Sequence, residues 1–382
     1  MHLMVVIEDR ISDWRAKGEI LEGYFNPAGA FEKVTILGVV EDTPDERALA
    51  RLCAPARHVY INAGINRGGL LARSGGLRPG GLAAALRKII DIVPNPSPDV
   101  VRAYGDGLAP VVAASIRRHI GIPFAVSLHT AADRAIQARY LGVRDRFWRW
   151  LLGSAVNHAL RDAGAVMAVY SPILDYLPHD LAEKAVVVPN VVGVWTRPGI
   201  RAHRDGPMRA LWLGRQMPGR DPRPIVEALH ATPNVDLTLI GDGPYRDVAQ
   251  RAARRFAGRT RFVPAMDNRA LCAALADYDV LVVNSRFREV PKSVIEAALT
   301  GLPVIVNRLP AAESAEYSEL PTIYVDPSPG GYAAALRDLE GNPSKRRALA
   351  RETQDAAWRM WNPSTVAEQA ADVLSSLASV GR

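Results

Sequence analysis

The densest group of chemically useful side chains lies between two apolar runs. Arg286, Arg288, Glu289, Lys292, Ser293 and Glu296 fall between Val280–Val283 and Val304–Val306. Charged and small residues crowd the loop and the start of the following helix. A helix start presents unpaired amides and favours a phosphate. Two further arginines, Arg215 and Arg220, follow the apolar run 210–214, ALWLG. His129 closes a third stretch, SLHT at 127–130, that ends a run from Pro123. Cations, carboxylates and one imidazole at such ends suit the binding and cleavage of a phosphorylated ligand.

These groups need elements to hold them. Val280–Val283 predicts a buried parallel strand, and Pro291 suits the first turn of a helix that stops near Gly301 and Pro303. A second strand follows at once, so the stretch predicts a βαβ unit. The same alternation runs through the chain. Strands are predicted at 3–7, 34–40, 58–63, 100–104, 123–128, 166–170 and 184–190, then at 210–214, 235–241, 260–264, 280–283, 303–306 and 322–325. Such spacing leaves room for a crossover helix between strands, which predicts an α/β fold with two doubly wound parallel sheets. The helix predicted from Arg246 carries an apolar stripe at Val248, Ala252 and Phe256.

The division is set at 1–196 and 207–357, with the Pro, Gly and charge-rich stretch 197–207 as the linker. Residues 358–382, with Trp358 and Trp361 at their start, form a C-terminal helix. The glycine-rich, basic segment 64–81 fits neither a phosphate-binding P-loop nor a dinucleotide fingerprint and reads as a surface connection.

The chain has 382 residues and a net charge of +7, which points to an anionic partner. It carries no nucleic-acid motif, so a nucleotide diphosphate or an anionic surface is the better match. Cys53 and Cys272 are far apart in apolar contexts and read as free thiols, with no metal site. No run has the length of a membrane span. The first residues read as a strand and not as a signal peptide, so a cytoplasmic location is expected.

The residues together resemble retaining glycosyltransferases of family 4, which have the GT-B fold, and the resemblance covers essentially the whole chain. It rests on Gly214, Arg215 and Arg220 after a strand; on the strand ending Gly241-Asp242-Gly243-Pro244; on the strand and loop that reach Pro264, Ala265 and Met266; and on Glu296, aligned through Gly301. Lesser matches are SLHT, Lys17-Gly18, and EKAVVVPNVV at 183–192. The segment GYFNPAGAFEKVTIL, 23–37, is similar to a branch engaged in surface-polysaccharide assembly.

The resemblance implies a donor site for a nucleotide-diphosphate sugar. Arg215 and Arg220 hold the diphosphate, with arginine at 220 where the family usually has lysine. Gly18, Gly214 and Gly241 permit close backbone approach, and Pro264–Met266 line the base. The helix start at Pro291, Lys292, Ser293 and Val294 binds phosphate. Glu296 accepts the ribose hydroxyls, since a carboxylate can take a diol. The family's first glutamate falls on Arg288, and Glu289 stands where a glycine is usual. Either Glu289 or the amides of Val290–Ser293 then take the donor-sugar contact. His129 orients donor or acceptor. Neither a cofactor nor a metal is implied. The acceptor is a glycan or lipid-linked glycan. Phe147, Trp148 and Trp150, interleaved with Arg144, Arg146 and Arg149, read either as a peripheral membrane patch or, from their helical spacing, as core. A nucleotide-sugar epimerase of the same fold and a non-catalytic relative are the alternatives.

Overall fold

The computed structural model of the chain describes residues 1–65, 70, 86–87, 89–130, 142–200, 205–309 and 314–380. Most of the segment 64–81 therefore lies outside the described residues, as does the side chain of Arg144.

Two units emerge from the contacts. The first comprises Met1–Ala16, Ile20–Asn190 and Ser364–Arg382; the second comprises Lys17–Glu19 and Val191–Pro363. The boundary thus falls at Asn190, short of the predicted 196. The helix that returns to the first unit begins at Pro363, and Trp358 and Trp361 lie in the preceding helix, Pro343–Trp361.

The first unit is built on β1 (His2–Ile7), β2 (Lys33–Gly38), β3 (Arg57–Asn62), β4 (Val100–Tyr104), β5 (Phe124–Leu128), β6 (Ala165–Ala168) and β7 (Ala185–Val187). All described pairings are parallel, in the order β3-β2-β1-β4-β5-β6-β7. β1, β4 and β5 are buried along their whole length. That is why they read as largely apolar runs, since helices cover both faces of a parallel sheet; the buried Arg102 of β4 donates to Ser127 Oγ of β5 at 2.9 Å. Ala370, Leu374 and Ala378 of the C-terminal helix belong to this unit's core.

The second unit has β8 (Met208–Leu213), β9 (Val235–Ile240), β10 (Thr260–Val263), β11 (Val280–Val283), β12 (Val304–Asn307) and β13 (Thr322–Val325), in the order β10-β9-β8-β11-β12-β13. Its core takes in Val280, Val282, Ile305 and the fully buried Tyr332, each large side chain contributing about 1.5–3 kcal/mol by burial. The Tyr332 hydroxyl donates to the Val283 carbonyl at 2.9 Å and fixes the end of β11.

The helix after β9 buries Ala249, Ala253 and Phe256, one position away from the predicted stripe at its first two members. Its α-helical part ends at Ala253 and a tighter turn, Arg254–Phe256, carries the phenylalanine inward. Small alanines, and not Val248, are the buried positions of the helix.

Strand order reverses between β8 and β11. Ligands of such sheets bind outside the carboxyl ends of the strands at this switch point. The loops after β8 and β11 carry Arg215, Arg220 and Glu289. Topology therefore brings together segments far apart in sequence.

Candidate active site

The loop after β8 is held by backbone contacts that require glycine. Gly214 donates to the Ile240 carbonyl at 3.1 Å, and Gly241 to that of Val263 at 3.0 Å. A side chain on Gly241 would begin 2.1 Å from the Gly214 carbonyl oxygen, and one on Gly243 would begin 2.2 Å from that of Gln216. Gln216, fully buried, ties the two loops together. Its amide nitrogen side chain donates to the Gly241 carbonyl at 3.0 Å, its backbone amide to Asp242, and its carbonyl accepts from Tyr245. Sequence reasoning missed Gln216, because one glutamine beside two arginines carries no pattern of its own.

Arg215 is exposed, and no hydrogen bond or ion pair engages it among the described residues. Arg220 stands differently. Residues 217–220 form a tight turn in which the Arg220 amide donates to the Met217 carbonyl at 2.8 Å. The Arg220 guanidinium grips Glu289 with Nε 2.8 Å from Oε1 and Nη2 against Oε2. Ser285 Oγ donates to Glu289 Oε1 at 3.0 Å. Ser285 is fixed in turn by Asn307, whose Oδ1 accepts from the Ser285 amide at 2.8 Å and whose Nδ2 donates to the Ser285 carbonyl at 2.9 Å. Asn307 ends β12 and Ser285 lies just beyond β11, so the pairing extends the ladder through a side chain. Both residues were missed as site-builders; polar residues at the ends of two adjacent apolar runs were the available signal. In this structure both carboxylate oxygens of Glu289 are engaged by Arg220.

Glu296 sits in the middle of the helix Lys292–Thr300, which is buried from Val294 onward. Trp358 Nε1 and Gln354 Nε2 donate to the Leu299 carbonyl at 3.0 and 3.2 Å, and Gly301 ends the helix in the left-handed region. The helix start has Pro291 outside the first turn, where it was expected inside it, and no side chain caps the amides that follow. Lys292 and Ser293 are half-buried there and Val294 is buried.

Only 3 % of Glu296 is exposed. Asn268 Nδ2 donates to its Oε1 at 2.6 Å. Asn268 itself is held by its amide, which donates to the Gly18 carbonyl at 2.9 Å. Gly18 has φ +74°, and a Cβ there would lie 1.9 Å from the Met266 carbonyl oxygen. Lys17-Gly18 follows the short helix Ile11–Ala16. Pro264 and Ala265 are exposed after β10, and Asp267 caps the next helix through the Arg269 amide. Gly18, Met266, Asn268 and Glu296 therefore form one group, and Arg220 with Glu289 another.

Burial raises Glu296 from the usual 4.5 to about 7, with Glu19 pushing the same way and Asn268 and Lys292 opposing. The folded chain keeps this proton over a range in which the unfolded chain has lost it. Its contribution to stability is full below the unfolded value, declines as pH rises toward 7 and is flat above. At about 1.4 kcal/mol per unit the loss is on the order of 3 kcal/mol. Glu296→Gln is expected to remove that slope, so the variant gains Tm relative to the parent at about pH 8 more than at about pH 5. Parallel Tm curves for the two proteins would refute the assignment.

In the first unit, His129 lies just past β5 and stacks on Tyr104, with ring centroids 5.5 Å apart and planes at 18°. Its carbonyl accepts from the Tyr170 hydroxyl at 3.2 Å. Tyr104 continues into a cluster with Tyr24 and Phe25, and Arg102 lies 4.7 Å from its ring centre. Glu8 follows β1 and accepts from the Leu108 amide at 2.7 Å. Asp106 follows β4 and pairs with Arg149; burial raises its pKa, against the pull of Arg149. Of the basic aromatic patch, Trp148 is buried, whereas Phe147 and Trp150 are 49 % and 75 % exposed. No helix among the described residues is long and apolar enough to cross a membrane, and no group of His, Cys, Asp or Glu there could hold a metal ion.

Residues 223–342 match the family described as glycosyl transferases group 1. The chain is 28 % identical over 306 residues to a 2-deoxystreptamine N-acetyl-D-glucosaminyltransferase of Streptomyces fradiae, covering 74 % of this chain and 71 % of that protein. It is 28 % identical over 258 residues to a 2-deoxystreptamine glucosyltransferase of Streptomyces kanamyceticus, covering 60 % of this chain and 64 % of that one. In fold it is similar to HepE of Anabaena in complex with UDP and glucose, with a TM-score of 0.69 and 17 % identity over 98 % of this chain and 99 % of that one. The fold is GT-B, with two parallel-sheet α/β units. The chain is thus similar to glycosyltransferases, and its match to the group 1 family lies within the second unit.

Proposed function

We propose that the chain transfers a sugar from a nucleotide-diphosphate sugar to an acceptor hydroxyl with retention at the anomeric carbon and without a metal. The observation that carries this is the second unit's switch point. There Arg215 and an uncapped helix start supply positive charge, and Arg220 supplies hydrogen-bond donors, where a leaving diphosphate gains charge. The buried carboxyl of Glu296 suits the ribose diol. As the acceptor oxygen bonds to the anomeric carbon, the bond to the β-phosphate oxygen breaks. That oxygen keeps the electron pair and takes the acceptor's proton, so no separate protein base is required. His129, held by its stacking on Tyr104, orients donor or acceptor.

The acceptor has two readings. A glycan or lipid-linked glycan, as in polysaccharide or glycolipid assembly, suits the exposed Phe147 and Trp150, which would then touch the membrane surface. An amine-bearing cyclitol suits Glu8, Asp9 and Asp106 at the carboxyl ends of β1 and β4, and both curated relatives carry 2-deoxystreptamine in their names.

A thermal-shift screen with UDP-, GDP-, ADP- and TDP-sugars tests the donor. One of them is expected to raise Tm, because a ligand of the folded form stabilises by mass action. No shift with any would refute the donor reading. Incubation of the stabilising donor with 2-deoxystreptamine or a lipid-linked glycan then identifies the acceptor. Nuclear magnetic resonance of the product reads the anomeric configuration, and an inverted product overturns retention. An epimerised donor in the absence of acceptor would favour the epimerase alternative.

A further inference from the structure

We infer that Glu289 is a positioning residue for Arg220 and not a contact to the donor sugar, so that the two side chains bind the leaving diphosphate as one unit. This rests on the donor reading above. Both oxygens of Glu289 are committed within the protein. Oε1 takes Arg220 Nε at 2.8 Å and Ser285 Oγ at 3.0 Å, and Oε2 takes Arg220 Nη2. The Glu289 side chain is only 12 % exposed. A charge-assisted, bidentate pair at low exposure is among the stronger polar contacts a protein makes. Turning Glu289 toward a sugar hydroxyl would break it.

The surroundings are arranged around this pair. The Phe287 ring lies 5.3 Å from the Arg220 guanidinium carbon, and its amide donates to Ser285 Oγ at 3.1 Å. Gly219 makes room for that ring, since a Cβ there would lie 2.6 Å from a ring carbon. The Arg286 amide donates to the Gly219 carbonyl at 2.8 Å and Asn284 Nδ2 to that of Asp221 at 2.6 Å, so two loops are tied at several points. The charge of Glu289 reaches the half-buried Tyr317 and, after desolvation, is the largest cause of that phenol's raised pKa.

Arginine at 220 and glutamate at 289 therefore form one unit and not two separate groups. A planar fork has two donors in register with a carboxylate; an ammonium has no plane to fix. The carboxylate takes Nε and Nη2, while Nη1 stays outside this pair and its direction is set. Paired in this way, Arg220 adds little net charge. Its part is directional hydrogen bonding to phosphate oxygens.

The test is a double-mutant cycle in the full chain, read by calorimetric titration with UDP, GDP, ADP and TDP. Arg220→Ala and Glu289→Ala are each expected to weaken the best-bound diphosphate roughly tenfold, and the double variant no more than Arg220→Ala alone. Arg220→Lys, which keeps the charge without the fork, should make the chain nearly insensitive to Glu289→Ala. Additive losses overturn the inference. So does a Glu289→Ala variant with unchanged diphosphate affinity and altered preference between epimeric donor sugars. A wild-type chain that binds none of the four diphosphates sinks the donor reading instead, and with it this inference.

Discussion

Arg215→Ala is expected to lower kcat/KM for sugar transfer by about 10²–10³, with most of the loss in kcat. The side chain is exposed and unengaged among the described residues, so its removal leaves no buried partner unsatisfied. Tm should therefore stay within about 1 °C, as is usual for surface substitutions. The catalytic loss should be large for a different reason. Negative charge on the β-phosphate oxygen grows as the glycosidic bond breaks, and a cation at the mouth of β8 stabilises the transition state more than the bound donor. Steady-state kinetics with saturating acceptor separates kcat from KM. An unchanged kcat, or a fall in Tm large enough to account for lost activity, would remove Arg215 from the site.

The second large effect is on stability. Gly241→Ala is expected to destabilise the chain by about 3 kcal/mol or more, combining backbone strain and overpacking. Gly241 has φ +125°, and the new Cβ would lie 2.1 Å from the Gly214 carbonyl oxygen and 2.9 Å from its carbon. Neither atom belongs to a flexible side chain. Both are fixed by the β8–β9 register, in which Leu213 pairs with Ile240. Chemical denaturation should show a lower midpoint with an unchanged slope. Gly330→Ala is the control, because its Cβ would meet nothing within 4 Å. Equal midpoints for the two variants would show that the loops part without cost.

Much of the architecture is legible because it is parallel. β11 is covered on both faces and appears as an apolar run bounded by polar residues, and β4 and β5 are apolar but for the mutually bonded Arg102 and Ser127. Helix faces are less legible. Val248 draws the eye, yet the buried positions are Ala249 and Ala253, whose small side chains permit close packing but carry little hydropathy signal. The site is legible in its parts and not in its partners. Arg220, Glu289 and Glu296 stand out by charge, but nothing local says that Glu289 turns to Arg220 across 69 positions, or that Asn268 meets Glu296. Those choices are made by the strand order, which sets β8 beside β11.

The route of the chain has a practical outcome for anyone wishing to recombine such enzymes. It passes from one unit to the other after Ala16, Glu19, Asn190 and Pro363. No single cut yields either unit whole. A fragment ending at Asn190 lacks Leu374, which lies in the core of the first unit. A graft of 191–363 onto a foreign first half leaves behind Gly18, whose carbonyl receives the Asn268 amide beside Glu296. A chimaera meant to keep this donor preference while changing the acceptor must therefore carry Lys17–Glu19 with the graft. Those three residues are the portion that a junction drawn at the linker omits.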